Sequence, residues 1–445
     1  MKLVICLIWL ILTPVTLLGQ APDAIIRPTA SPTRLAISDF VSRVSASQET
    51  LSALKIFNQV LFDDLKFSAF FEIPSKSFYP LKPLRVPQDV VFENWQVPSL
   101  DADYLAFGSL QVDAATTVAE AYLYDVKTMQ QVLGKRYRIT DASLIRRVAH
   151  EFADQIVYEL SAGASTGVAR TKIAFSSKRG PSKEIYVMDY DGFNAEKVSV
   201  NEGINKFPEW SPDASLLSFV TILPNTSRWS LWLQELGAGH STLETPGSYV
   251  SSPAFAPQGN LLAYSARTEK SLDSDIFVSS YNGAGRRNLT RHRGIDTSPT
   301  WSPTGTQIAF ISDRTGTPQV WVMDADGSNV RRLVQEGGHC DSPDWSPDGR
   351  FILYSWQAPS QWKHDVYLLE IATDKIYQLT YGRGSSESPH WSPDGRHIAF
   401  QNTRTGTKQI YIMNVDGENL KMITAYGENE SPSWAKYAPS SMSAQ

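Results

Sequence analysis

The residues best placed to do chemistry in this chain stand two positions before a repeated proline: Lys206, Ser251, Thr297, Asp341, Glu387 and Glu430, with Asp296 beside Thr297. Two residues after each proline comes an aromatic side chain (Trp210, Phe255, Trp301, Trp345, Trp391, Trp434), so these are equivalent positions in six copies of one phrase. If the copies close into a ring, their loops surround one mouth of its central channel. Three successive copies then present a carboxylate, with Lys206 expected opposite them. Carboxylates converging on a recess concentrate negative potential, which suits a cation or the Lys and Arg side chains of a docking protein. The alternative is a rim of solvated loops.

Three local motifs resemble catalytic or metal sites, each in the wrong context. Gly163-Ala164-Ser165-Thr166-Gly167 fits G-x-S-x-G, but a hydrolase needs that serine on a turn from strand into helix, and here it follows a helical stripe, as a linker would. His150-Glu151-Phe152-Ala153-Asp154 has Asp where a zinc protease needs its second imidazole, so it reads as an exposed helix face. Asp189 to Gly192 and Asp324 to Gly327 place glycine fourth with no bidentate Glu at the twelfth position, as hairpin turns rather than calcium loops do. No nucleophile, base and acid can be assembled from the rest of the sequence. The expectation is a protein without enzymatic activity and without a cofactor, apart from a cation in the channel mouth.

The elements that must position the mouth follow from the repeat. Its aromatic anchors recur every 43 to 46 residues. Within Ser298 to Val334, Pro299 to Trp301 is a short extended piece, because a residue before proline is pushed out of the helical region. Ser302 to Gly305 is a type I turn, Gln307 to Ser312 and Val320 to Asp324 are strands, Asp326-Gly327 makes a positive-φ turn, and Val330 to Val334 is a fourth strand. Four short antiparallel strands per repeat describe a propeller blade. Trp434 opens a sixth copy with no room for three more strands, whereas Thr171 to Val200 supplies three strands without an opening phrase. One blade built from both ends closes the ring and removes its unpaired edges. The fold class expected is an all-β six-bladed β-propeller, closed by both ends of the repeat region and preceded by a small α/β domain.

The chain has 445 residues, 42% of them apolar, enough for two or three packed domains. Its net charge of -5 carries no basic footprint for nucleic acid, and the pairs Arg286-Arg287 and Arg331-Arg332 read as solvated charge. Residues 1–20, with Lys2 ahead of an apolar run from Leu3 to Leu18, read as a secretory signal cut near Gly19 to Ala21; Cys6 lies within that run and not at a lipobox. Removal leaves Cys340 alone, which excludes an intramolecular disulfide. Residues 21–34 read as a flexible arm, 35–162 as the α/β domain, 163–170 as linker, 171–437 as propeller and 438–445 as tail. In the α/β part, Leu35 to Phe40, Asp103 to Gln111, Val118 to Val126 and Val132 to Ile139 read as strands. Thr50 to Leu65 and Leu144 to Leu160 read as amphipathic helices, the second capped by Thr140 or Asp141.

An export signal, an α/β domain ending in the helix Leu144 to Leu160, the join TKIAFSS from Thr171, YVMDYDGFN from Tyr186 and the Ser-Pro-x-Trp phrases together resemble the TolB family, the periplasmic propeller proteins of Tol-Pal systems. The resemblance covers nearly all of the mature chain. It implies a non-enzymatic periplasmic adaptor, acting as a monomer within a hetero-complex and supporting outer-membrane integrity and constriction during cell division. Its partners would be a Pal-like peptidoglycan-associated lipoprotein at the propeller mouth and a TolA-like inner-membrane protein at the N-terminal arm. Carried over by position, Tyr249, Ser252 and Thr297 face the lipoprotein, although Tyr249 replaces the histidine usual there. Ala24, Ile25, Ile26 and Arg27 fall in the arm that would contact the inner-membrane partner, matched by position and not by sequence. The arm is expected to alternate between docking on its own propeller and adding to a partner's sheet edge. Two other readings remain: a propeller gating a hydrolase, for which the stretch after Trp434 is too short to hold the enzyme domain, and a propeller that binds a small ligand or sugar.

Overall fold

Two alternating sequence patterns, helical stripes in the first third and short strands thereafter, become two packed units in the computed structural model. It describes residues 33–435 except 114–115, 202, 225, 227, 237–239, 244–248 and 269–272. The expected signal, most of the arm with Ala24, Ile25, Ile26 and Arg27, and the tail lie outside the described residues.

The first unit is a five-stranded sheet in the spatial order Phe71–Glu72, Thr33–Ile37, Tyr104–Val112, Thr117–Asp125, Gln131–Ile139, parallel over its first three strands and antiparallel beyond. The last two residues of the expected arm belong to it: Thr33 pairs with Phe71 and Arg34 with Glu72. Helix α1 (Gln48–Phe67) starts where the Ser47 side chain accepts the Thr50 N–H. Asp141 caps a short 3-10 turn, Ala142–Leu144, rather than helix α2 (Ile145–Leu160), which begins without a side-chain cap. Ile145, Val148, Phe152 and Ile156 of α2 are buried as their spacing predicts.

The expected linker between separate domains is not observed. One continuous apolar cluster runs from Phe57, Phe67 and Phe152 through Val168 and Ala169 into Ile173, Met188, Ile410 and Trp434. Asp154 is a buried clamp: its carboxylate accepts the Ala169 N–H at 2.9 Å and the Arg170 Nε–H at 2.9 Å. Burial pushes its pKa up to about 6 in spite of the Arg170 guanidinium. Gly167 must lack a side chain, because a Cβ there would lie 2.1 Å from Asp154 Oδ1. The Gly163 to Gly167 serine is correspondingly buried, and its hydroxyl accepts the Gly167 N–H.

The His150 stretch is likewise no exposed face. His150 Nδ1 lies 2.7 Å from Asp64 Oδ2 on α1 and its Nε2 lies 3.8 Å from Asp191 of the propeller, all three side chains being under a tenth exposed. The Tyr190 hydroxyl donates to Asp64 at 2.7 Å, and Arg146 pairs with Asp191. Nearby, His397 Nε2 donates to the Phe67 carbonyl at 2.6 Å while its ring stacks on Phe67. Helical periodicity flagged α2 correctly. It could not show that a second unit covers the polar side of that helix.

The second unit is a β-propeller. Four of its sheets have four antiparallel strands each, for example Asp296–Trp301, Gln307–Ser312, Gln319–Asp324 and Arg331–Arg332. An eight-stranded sheet holds both ends of the repeat region: Glu428–Trp434 pairs antiparallel with Lys172–Lys178, Trp434 opposite Ile173. One parallel bridge, Lys183 to Ile204, joins that half to the set beginning with Ile204–Trp210. The aromatic anchors are buried, and two of them hook onto the neighbouring sheet, Trp301 Nε1 donating to the Ala254 carbonyl and Trp391 Nε1 to that of Asp344, both at 3.2 Å.

Candidate functional site: the propeller mouth

The innermost strand of every sheet departs from the extended piece expected around the proline. The residue before it adopts positive φ in all six copies: Phe207 at 54°, Ser252 at 48°, Ser298 at 51°, Ser342 at 48°, Ser388 at 51° and Ser431 at 53°. Pairing jumps there, from Thr297 opposite Ile311 to Thr300 opposite Ala309, so Ser298 and Pro299 form a bulge. Proline has no N–H to give the ladder, and the bulge places it where none is required. Left-handed backbone at a residue with a Cβ costs roughly 1–2 kcal/mol, incurred here at six equivalent points. The bulges line one recess of about 410 Å³.

Lys206, Tyr249, Ser252, Thr297, Asp341, Glu387 and Glu430 all line that recess. Asp296 does not. Adjacent strand residues face opposite ways, and Asp296 is 1% exposed with both oxygens on Arg314 Nη2, at 3.1 and 3.0 Å.

The expected charge pattern also changes. Lys206 stands beside Glu430, not opposite the carboxylates: its Nζ is 3.8 Å from Glu430 Oε1. Lys183 at 2.6 Å and Lys408 at 3.3 Å approach the same carboxylate. Burial alone would raise the pKa of Glu430, but the ammonium groups of Lys183, Lys408 and Lys206 hold it below the usual range. Glu387 accepts from Ser385 and Gln401 at 2.8 Å each, and Asp341 accepts the Ser342 N–H at 2.7 Å. Among the described residues no set of three or more His, Cys, Asp or Glu side chains is arranged to hold a metal ion. Of the three carboxylates expected to face a cation, Asp341, Glu387 and Glu430, the last is already matched by lysines.

A second ring lies one register deeper and was missed. The residue between proline and the aromatic anchor is Glu209, Ala254, Thr300, Asp344, His390 and Ser433 in turn. The first five line both the mouth recess and a smaller cavity of about 180 Å³ beyond it, so they form the throat between the two. His390 Nε2 is 3.4 Å from Glu209 and its Nδ1 is 3.7 Å from Asp344. Burial would lower the His390 pKa, but these two carboxylates push it up to about 10. The repeat alignment held the signal, since the one variable letter between the proline and the aromatic anchor is polar in five of the six copies.

The throat also brings together a serine, a histidine and an aspartate that the sequence did not. Ser433 Oγ is 3.5 Å from His390 Nε2. Its hydroxyl donates instead to Glu209 at 2.9 Å, so the serine proton is not directed at the imidazole.

The model of the TolB beta propeller domain matches residues 158–364 and 338–440, well over half of the chain. The chain belongs to the TolB propeller family. Among its curated relatives are the TolB homolog of Chlorobium chlorochromatii, 30% identical over 224 residues (48% of this chain, 47% of the relative), and the Tol-Pal system protein TolB of Desulfosudis oleivorans, 30% identical over 257 residues (56% of each). The chain spans about half the length of these TolB relatives in the matched region. The crystal structure of TolB from Acinetobacter baumannii has the same fold, with a TM-score of 0.74 at 24% identity over 91% of this chain and 97% of that one. No helix among the described residues is long and apolar enough to cross a membrane.

Proposed function

We propose that the chain is a non-enzymatic, periplasmic TolB-type adaptor of a Tol-Pal complex, whose propeller mouth docks a Pal-like peptidoglycan-associated lipoprotein. The eight-stranded sheet counts as two blades, which makes the propeller six-bladed from Thr171 to Ala435, with the α/β unit beginning at Thr33. The observation that carries the reading is the sixfold bulge: five strained Ser-Pro turns and one Phe-Pro turn open one recess lined by Lys206, Tyr249, Ser252, Thr297, Asp341, Glu387 and Glu430. A fold keeps strain of this kind where surrounding structure enforces it, and such strain concentrates at ligand clamps. The N-terminal arm, with Ala24, Ile25, Ile26 and Arg27, would engage a TolA-like inner-membrane protein, so that the complex supports outer-membrane integrity and constriction during division.

The hydrolase reading is disfavoured by Ser433, whose hydroxyl donates to Glu209 rather than to His390. The decisive experiment is calorimetric titration of the protein with the soluble domain of the same organism's peptidoglycan-associated lipoprotein. Thr297→Trp, which fills the recess, should weaken binding by about a hundredfold, as expected for blocking an interface centre. Equal affinity for both proteins would end the reading.

A further inference from the structure

Three sheets carry an arginine four residues after the central phenylalanine of their second strand: Arg179 after Phe175, Arg314 after Phe310, and Arg404 after Phe400. All three lie on hairpins at the mouth end. In each the residue two before holds the guanidinium: Arg179 Nε donates to Ser177 Oγ at 3.2 Å, Arg314 Nε to Ser312 Oγ at 2.8 Å and Arg404 Nε to Asn402 Oδ1 at 3.0 Å. An aromatic face supports each as well, Tyr186 at 3.9 Å from Arg179, Trp321 at 4.9 Å from Arg314 and Tyr411 at 5.0 Å from Arg404.

Their charges are treated differently. Arg314 is neutralised by Asp296, which pairs with Ser312 across the strands. The equivalent partners in the other two sheets are Asn429, opposite Ser177, and Ser386, opposite Asn402. Both are neutral, and among the described residues neither Arg179 nor Arg404 has a carboxylate within ion-pair distance. The same sector contains Lys178, Lys183, Lys206 and Lys408, against Glu184, Glu387, Glu428 and Glu430. Tyr426, 69% exposed, stands 5.9 Å from the Arg179 guanidinium.

We propose that Arg179 and Arg404, with Tyr426 beside the former, form a carboxylate clamp on the rim that takes an acidic segment of the protein docking at the mouth. This rests on the mouth as docking face and deepens it: the partner chemistry is acidic, the reverse of what carboxylate spacing in the sequence predicted. Guanidinium groups already fixed by a hydrogen bond and a ring lose little freedom on gripping a carboxylate, and their planar forks match it.

Fluorescence anisotropy with labelled polyglutamate and polylysine peptides at low ionic strength tests the chemistry directly. Polyglutamate should bind, and the double variant Arg179→Glu/Arg404→Glu should weaken it by about tenfold or more. Ser386→Asp, which restores beside Arg404 the carboxylate that Arg314 already has, should weaken it without removing a cation. Tighter binding of polylysine, or unchanged polyglutamate affinity in the double variant, overturns the clamp. With the lipoprotein domain as probe, loss of binding in Thr297→Trp but not in the arginine variant overturns the clamp and leaves the docking face standing. No effect of either overturns both.

Discussion

Two histidines in this molecule each lie between two carboxylates, His150 at the junction of the two units and His390 in the throat, and their surroundings make them different devices. At the junction Asp64, His150 and Asp191 are between 2% and 8% exposed, and Tyr190 and Arg146 complete the set. In the throat Glu209, Asp344 and His390 are 18% to 27% exposed and border open recesses. Burial raises Asp64, against the pull of His150, and His150 itself is raised by Asp64 and Asp191 in spite of its own burial. A charge set closed off from water holds two parts of a fold in one register, because no solvent can replace a lost member. A set in contact with water keeps its field available to whatever enters.

The comparison breaks most sharply at Asp64. Asp64→Ala strands a buried imidazole and a buried phenol and should cost about 3–5 kcal/mol, read by chemical denaturation. His390→Ala, in a site water can reach, should cost about 1–2 kcal/mol. Equal costs would erase the distinction.

Acid and base sharpen it next. His390 has a folded pKa near 10 against an ordinary 6.5, so the stability it contributes is complete below about pH 6.5 and is lost as pH rises through about 10. His390→Gln should flatten stability across that window, whereas a curve identical to wild type would show that the carboxylates do not hold the proton. His150 is shifted in the same direction, so its contribution too is present below its ordinary pKa and fades with rising pH.

The smallest effect tests the strain. Ser298→Gly relieves a positive φ of 51° and should change stability by less than about 1 kcal/mol, in the stabilising direction. A clear loss in urea melts would mean that the serine side chain, not the backbone, holds the bulge.

Much of the architecture was legible because its causes are local. Proline, glycine and the Trp-Ser-Pro phrase dictate turns and strands within a few residues of themselves, so the repeat, the pairing of Glu428–Trp434 with Lys172–Lys178 and both helices could be read directly. The mouth positions were legible for the same reason, since equivalent letters in a repeat occupy equivalent places. What they do there was not. Glu430 reads as free negative charge until Lys183, 247 residues away, closes on it. Asp296 reads as a mouth residue until strand alternation turns it onto Arg314. His150 reads as exposed until Asp64, 86 residues earlier, and the propeller's Asp191 cover it. Periodicity records which face of an element is apolar, but it carries nothing about which distant charge will arrive at the polar one. That pairing is settled by packing alone.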